Sequence, residues 1–256
     1  MARRPGEELV PGGESKGLLR GIFLVLLLLW LAPVGAGQVV TENVTARLLA
    51  ERQQVVPGNS VQLALVFDIR PGWHTYWKNP GDSGEPPRIR WRLPEGVSVG
   101  PIRWPHPELI RIGPLANYGY SGRAVHLMDL AVPAGWEAGR ALDLTAEVSW
   151  LVCEEHCIPE GGILKLRLET RARAGPMDPV VAPIFAAARA GLPQVLQGEA
   201  MLSSAGAGLT LGFSTDDLPP DPSHVWFFAG EWGLVEHAAD QPWREQDGRL
   251  MLDLTP

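Results

Sequence analysis

The sequence has 256 residues, 45% hydrophobic and 20% charged, so it can bury a core and is neither disordered nor fibrous. Its 22 Lys and Arg against 29 Asp and Glu give a net charge of −7, which speaks against a nucleic-acid partner read through a basic face. The high Gly and Pro content favours short strands and turns over helices, and two cysteines exclude a disulfide-dense scaffold.

The chain opens with Arg3, Arg4, Lys16 and Arg20, then the apolar run Ile22 to Ala32, then Pro33 and the small residues Val34-Gly-Ala36. Residues 1–36 read as a secretory signal peptide, because an apolar run this short falls well below the roughly 20 residues that span a bilayer. Export places the cysteines in an oxidising compartment, where a thiol pair closes into a disulfide unless it is kept reduced.

From Val61, apolar residues alternate through Leu63, Leu65, Phe67 and Ile69, the period of a half-buried strand. The pattern returns in Arg88 to Leu93, Ala124 to Val132, Leu142 to Trp150 and Leu164 to Leu168, with turn clusters at 79–84, 94–96 and 133–135. The expected fold is all-β, an immunoglobulin-like antiparallel sandwich over 37–172. A linker over 173–195 carries a short helix with Asp178 as N-cap, Pro179 at its first position and Gly191 past its end. Residues 196–256, with strands at Gly208 to Phe213, Val225 to Phe228 and Arg249 to Leu254, read as a second β domain that is cut short.

Cys153-Glu-Glu-His-Cys157 follows the strand ending at Trp150, and Pro159 with Gly161-Gly162 is expected to turn the chain into the next strand. Three readings stand on these residues: a redox-active pair, a structural staple, and a metal site built from both thiolates and His156. Glu154, Glu155 and Glu160 disfavour a thiolate, and His156 offsets them only when protonated. Trp73, His74, Tyr76 and Trp77 form an aromatic cluster best explained by core packing, and His74, His106 and His126 are isolated histidines. Asn117-Tyr-Gly-Tyr-Ser-Gly122 reads as a glycine-punctuated loop without the spacing of a phosphate cradle.

Together, Pro71-Gly-Trp-His-Thr-Tyr-Trp-Lys-Asn-Pro-Gly-Asp-Ser-Gly84, Asn117 to Gly122, Val148-Ser-Trp-Leu-Val-Cys153 and Cys157-Ile-Pro-Glu160 resemble the exported N-terminal domain of DsbD-family thiol:disulfide interchange proteins. Within that family the sequence is most similar to the suppressor-of-copper-sensitivity B (ScsB) branch. The resemblance covers about residues 40–170, and 225–241 looks like that branch's next module. It implies a periplasmic protein-disulfide reductase domain that takes electrons from a membrane-embedded domain of its own polypeptide and passes them to exported thioredoxin-fold proteins. It carries the partner-linked role to Cys157 and the resolving role to Cys153, with no cofactor and no metal. It also makes Leu115 to Gly122 a cap loop over the sulfurs. Asn117 stands where a better-known branch has an aromatic cap residue, so shielding is expected from Tyr118 or Tyr120, with Tyr76 beside the pair. The rival reading is a copper-handling or chaperone-like binding module whose disulfide is structural.

Overall fold

In the computed structural model, which describes residues 37–195, 197–205, 208–214 and 221–256, the alternating runs become strands. The segment read as a signal peptide, 1–36, lies outside the described residues. The first strands are β1 (Gln38–Val40), β2 (Val44–Ala50), β3 (Gln54–Val55), β4 (Ser60–Ile69), β5 (His74–Gly81) and β6 (Arg88–Arg92). They are followed by β7 (Ser98–Val99), β8 (Glu108–Ile112), β9 (Leu115–Ser121), β10 (Arg123–Ala131), β11 (Ala141–Cys153) and β12 (Cys157–Thr170).

One sheet has the order β1-β2-β4-β10-β7, and the other β3-β12-β11-β5-β9-β8 with β6 added to β11. Every pairing is antiparallel except that of β3 with β12. Between the two sheets lies the main core, to which β4 contributes Val61, Leu63, Leu65, Phe67 and Ile69 and β11 contributes Leu142, Leu144, Ala146, Val148, Trp150 and Val152. Phe67 meets Trp150 across it at 4.9 Å between ring centroids. The result is an immunoglobulin-like β-sandwich.

Strand β4 is buried on its other face as well. Ala64 and Val66 pack with Leu49 and Leu127 against Phe185 and Ala188 of helix α1 (Ala182–Ala190), so the segment read as a linker covers the outer face of a sheet. The helix begins one turn later than expected. Val181 is the N-cap, while the Asp178 carboxylate accepts from the Val180 N–H and its carbonyl from the N–H groups of Val181 and Ala182. Asp178-Pro179 therefore builds the turn before the helix. Gly191 closes the helix at φ −85°, so its left-handed freedom is unused.

Beyond the helix, β13 (Glu199–Ala205), β14 (Gly208–Ser214), β15 (Trp243–Gln246) and β16 (Arg249–Leu254) form a four-stranded sheet of order β13-β14-β16-β15. Its small core joins Leu252 and Leu254 to Ala229 and Val235, with Val225 and Phe227 packed against them. The expected strand Val225 to Phe228 is not one. The Gln241 side chain takes the place of a neighbouring strand, its oxygen accepting from the Phe227 N–H at 2.7 Å and its amide donating to the Phe227 carbonyl at 3.1 Å. Phe228 then packs on the main core, 4.9 Å from the Tyr118 ring.

Candidate functional site

Strands β11 and β12 pair in continuous register from Ala141 opposite Glu169 to Cys153 opposite Cys157, so the two cysteines form the last rung of the hairpin. Their Cα atoms are 4.2 Å apart and a disulfide joins them. The spacing is that of the close, non-hydrogen-bonded pairs of an antiparallel ladder, about 4.5 Å. Only Glu154, Glu155 and His156 connect the strands, all three exposed. This corrects the expected ends of both strands. The fully buried Val152 carries β11 past Trp150, and Pro159, Gly161 and Gly162 lie within β12. Pro159 is tolerated because, among the described residues, no strand pairs with β12 on its far side at that level. The sulfur-bearing residues are unequal: Cys153 is 1% exposed, whereas Cys157 faces solvent.

Strand β5 reaches the pair from the other side, with His74 opposite Cys153. Tyr76 Oη lies 3.6 Å from Cys157 Sγ. A disulfide sulfur carries no hydrogen, so the phenol is the donor of this contact. His74 stands edge-on to Tyr76 at 5.1 Å, and its Nε2 has no hydrogen-bond partner among the described residues. Burial lowers the His74 pKa, so the imidazole is neutral and adds no positive charge beside the sulfurs. Burial raises the Tyr76 pKa, with a hydrogen bond involving Ser83 acting in the opposite direction, and the phenol stays protonated.

The turn after β5 lies against Tyr76. Gly84, at φ +98°, has its backbone so close to the ring that an added Cβ would stand 2.2 Å from Cε1 and Cζ. Only glycine fits there. Neighbouring groups hold the turn firmly. Asn117 Oδ1 accepts from the Ser83 N–H at 3.1 Å and from the Ser83 hydroxyl at 3.0 Å. Asp82 accepts from the Ala116 N–H at 2.7 Å and from His237 Nδ1 at 3.1 Å. Asn79 accepts from the Gly81 N–H and donates to the carbonyls of Ala229 and Glu231.

These positions redistribute the roles expected for Leu115 to Gly122. The segment is strand β9, held between β5 and β8, and not a cap loop. Tyr118 is fully buried against Phe228 and His237. Tyr120 donates its hydroxyl to the Pro105 carbonyl at 2.9 Å and stands edge-on to His126. Both rings are core, so neither forms an outer shield. Asn117 is also buried and pins the 81–84 turn. Of the chain's three tyrosines, Tyr76 has the sulfur contact.

Glu160, expected among the thiolate-disfavouring carboxylates, has its partners elsewhere. One oxygen accepts from the Asn43 N–H and side-chain amide, the other from Thr41 Oγ1 and from Trp150 Nε1 at 3.3 Å. It fastens the β1–β2 turn to the hairpin. Asp82, Ser83, Gly84 and His237 join the site through contacts that no local motif announces. The Gly-Asp-Ser-Gly run signalled a turn without showing what the turn touches. Among the described residues no group of three or more His, Cys, Asp or Glu is placed to hold a metal ion.

Residues 45–168 match the sequence model of the family described as thiol:disulfide interchange protein DsbD, N-terminal. Among solved structures, the N-terminal periplasmic domain of ScsB from Proteus mirabilis shares the fold, with a TM-score of 0.61 over 86% of this chain and 83% of that chain at 19% identity. No curated protein sequence matches the chain. The matched family segment contains the cysteine hairpin, Tyr76 and the 81–84 turn. Residues 45–168 therefore form a DsbD-family N-terminal domain, and the chain shares its fold with the ScsB periplasmic domain.

Proposed function

We propose that this chain is an exported thiol:disulfide exchange domain in which Cys153 and Cys157 carry two electrons between a membrane-embedded donor domain and thioredoxin-fold proteins of the periplasm. The observation that carries the reading is the asymmetry of the disulfide. Cys157 faces solvent at the tip of a hairpin, beside the Tyr76 hydroxyl, while Cys153 is buried beneath it. The staple reading explains little, because the β11–β12 ladder already holds the two ends together.

In the loading step a donor thiolate attacks Cys157 Sγ. The Cys153–Cys157 bond breaks, and its electron pair leaves on Cys153 Sγ, which takes up a proton. The donor's second thiol then attacks its own sulfur in the mixed disulfide, leaving the donor oxidised and both cysteines reduced. Delivery runs in reverse: the Cys157 thiolate attacks the partner's disulfide and Cys153 resolves the mixed species, releasing a reduced partner. With His74 neutral, the site has little intrinsic thiolate stabilisation, which suits a pair that reacts on docking in preference to random encounter.

The test is equilibration of the purified protein in thiol buffers of graded potential, with free cysteines counted by alkylation and mass. The pair is expected to titrate between about −180 and −270 mV, the span from protein disulfide isomerase to thioredoxin. A pair still oxidised below about −300 mV would be a structural disulfide and would overturn the proposal.

A further inference from the structure

We infer that His237, from the segment after the four-stranded sheet's first hairpin, is a positioning residue for the disulfide: through Asp82 it holds the 81–84 turn against Tyr76 and so limits attack on Cys157. This deepens the function proposed above and rests on it. The chain of contacts is short. His237 is 4% exposed, and its Nδ1–H donates to Asp82 Oδ1 at 3.1 Å, since a carboxylate can only accept. Asp82 is two residues from Gly84, whose backbone lies on the Tyr76 ring, and Tyr76 Oη touches Cys157 Sγ.

The turn has no apolar side chain to anchor it, for it consists of Gly81, Asp82, Ser83 and Gly84. Polar tethers hold it, and the one from His237 joins two parts of the chain more than 150 residues apart. A hydrogen bond between a buried imidazole and a carboxylate is stronger than the neutral bonds beside it. Its neighbours reinforce the same junction. Asn79 reaches the Ala229 carbonyl at 2.9 Å, and the His237 ring stands edge-on to Tyr118 at 5.2 Å. The C-terminal module thus grips the turn that packs on Tyr76.

The experiment measures the rate at which dithiothreitol reduces Cys153–Cys157 in the full chain, by quenched alkylation, in wild type, His237→Ala, His237→Asn and Leu252→Ala. Asparagine retains a donor near the position of Nδ1. Leu252→Ala loosens the small C-terminal core without touching the turn. His237→Ala should react about tenfold faster, as expected when one charge-assisted hydrogen bond is lost. His237→Asn and Leu252→Ala should stay within about twofold of wild type, the scatter expected of variants that keep the tether. Equal rates in wild type and His237→Ala would overturn the inference, as would equal acceleration by Leu252→Ala, which would make the effect general loosening. Exchange of the wild-type protein with thioredoxin, measured alongside, tests the proposed function separately: if it proceeds while all four rates are equal, only the positioning role fails.

Discussion

Reducing the disulfide should leave the protein folded, and the structure sets the size of the effect. The bridge closes a loop of only five residues, with a sequence separation of 4. The chain-entropy estimate for such a loop is about 2 kcal/mol. That figure is the entropy the bridge removes from the unfolded chain, and the ladder from Ala141 to Cys153 keeps the hairpin paired in the reduced protein. For a unit the size of Gly35–Pro256, about 2 kcal/mol corresponds to a Tm lower by roughly 4 to 8 °C. The measurement compares calorimetric melts of the oxidised protein with those of the reduced wild type, which keeps both side chains and introduces no cavity. A reduced form that unfolds at room temperature, or melts more than about 15 °C lower, would show that the sandwich depends on the bridge, and the argument for a cycling pair would fail.

Further outcomes follow from the same geometry. Tyr118→Ala should cost about 3 to 5 kcal/mol in denaturant unfolding, as loss of a fully buried aromatic does, whereas a cap residue at the surface would cost almost nothing. Glu160→Gln should lower stability by about 1 to 3 kcal/mol through its bonds to Thr41, Asn43 and Trp150. Its reduction rate should match wild type, and a faster rate would restore Glu160 as a suppressor of the thiolate. His126 is fully buried, and burial lowers its pKa from 6.5 to about 4. The unfolded chain therefore binds the proton first, so the His126 contribution is present above pH 6.5 and is lost as pH falls towards 4, about 3 kcal/mol in all. Stability measured across that range should fall with decreasing pH less steeply in His126→Phe; an unchanged slope would contradict the assignment.

The sandwich was legible because β11 alternates cleanly and every core-facing position of β4 is apolar, although Ala64 and Val66 on the other face of β4 are buried beneath the helix and break the half-buried pattern expected of that strand. Legibility failed where partners distant in sequence decide the outcome. Val225 to Phe228 has a strand's composition, yet the Gln241 side chain occupies its hydrogen-bonding edge. Asn117 to Gly122 has a loop's composition, but pairing with β5 and β8 makes it strand and turns its tyrosines inward. The cysteines and Tyr76 were visible from motif and resemblance. Glu160 misled because a carboxylate three residues from a cysteine looks like its neighbour, although it bonds to the β1–β2 turn. His237 left no local trace, since its role depends on a contact with Asp82.

The most direct test of the central claim is which sulfur a partner engages. Cys153→Ala and Cys157→Ala are each mixed with an oxidised thioredoxin-fold protein and resolved on non-reducing gels. The solvent-facing Cys157 should attack the partner's disulfide, and without Cys153 to resolve it the mixed species should accumulate in Cys153→Ala. Cys157→Ala, left with a sulfur-bearing residue that is 1% exposed, should trap little. Stronger trapping by Cys157→Ala would reverse the two roles, and no trapping by either variant would contradict exchange at this pair.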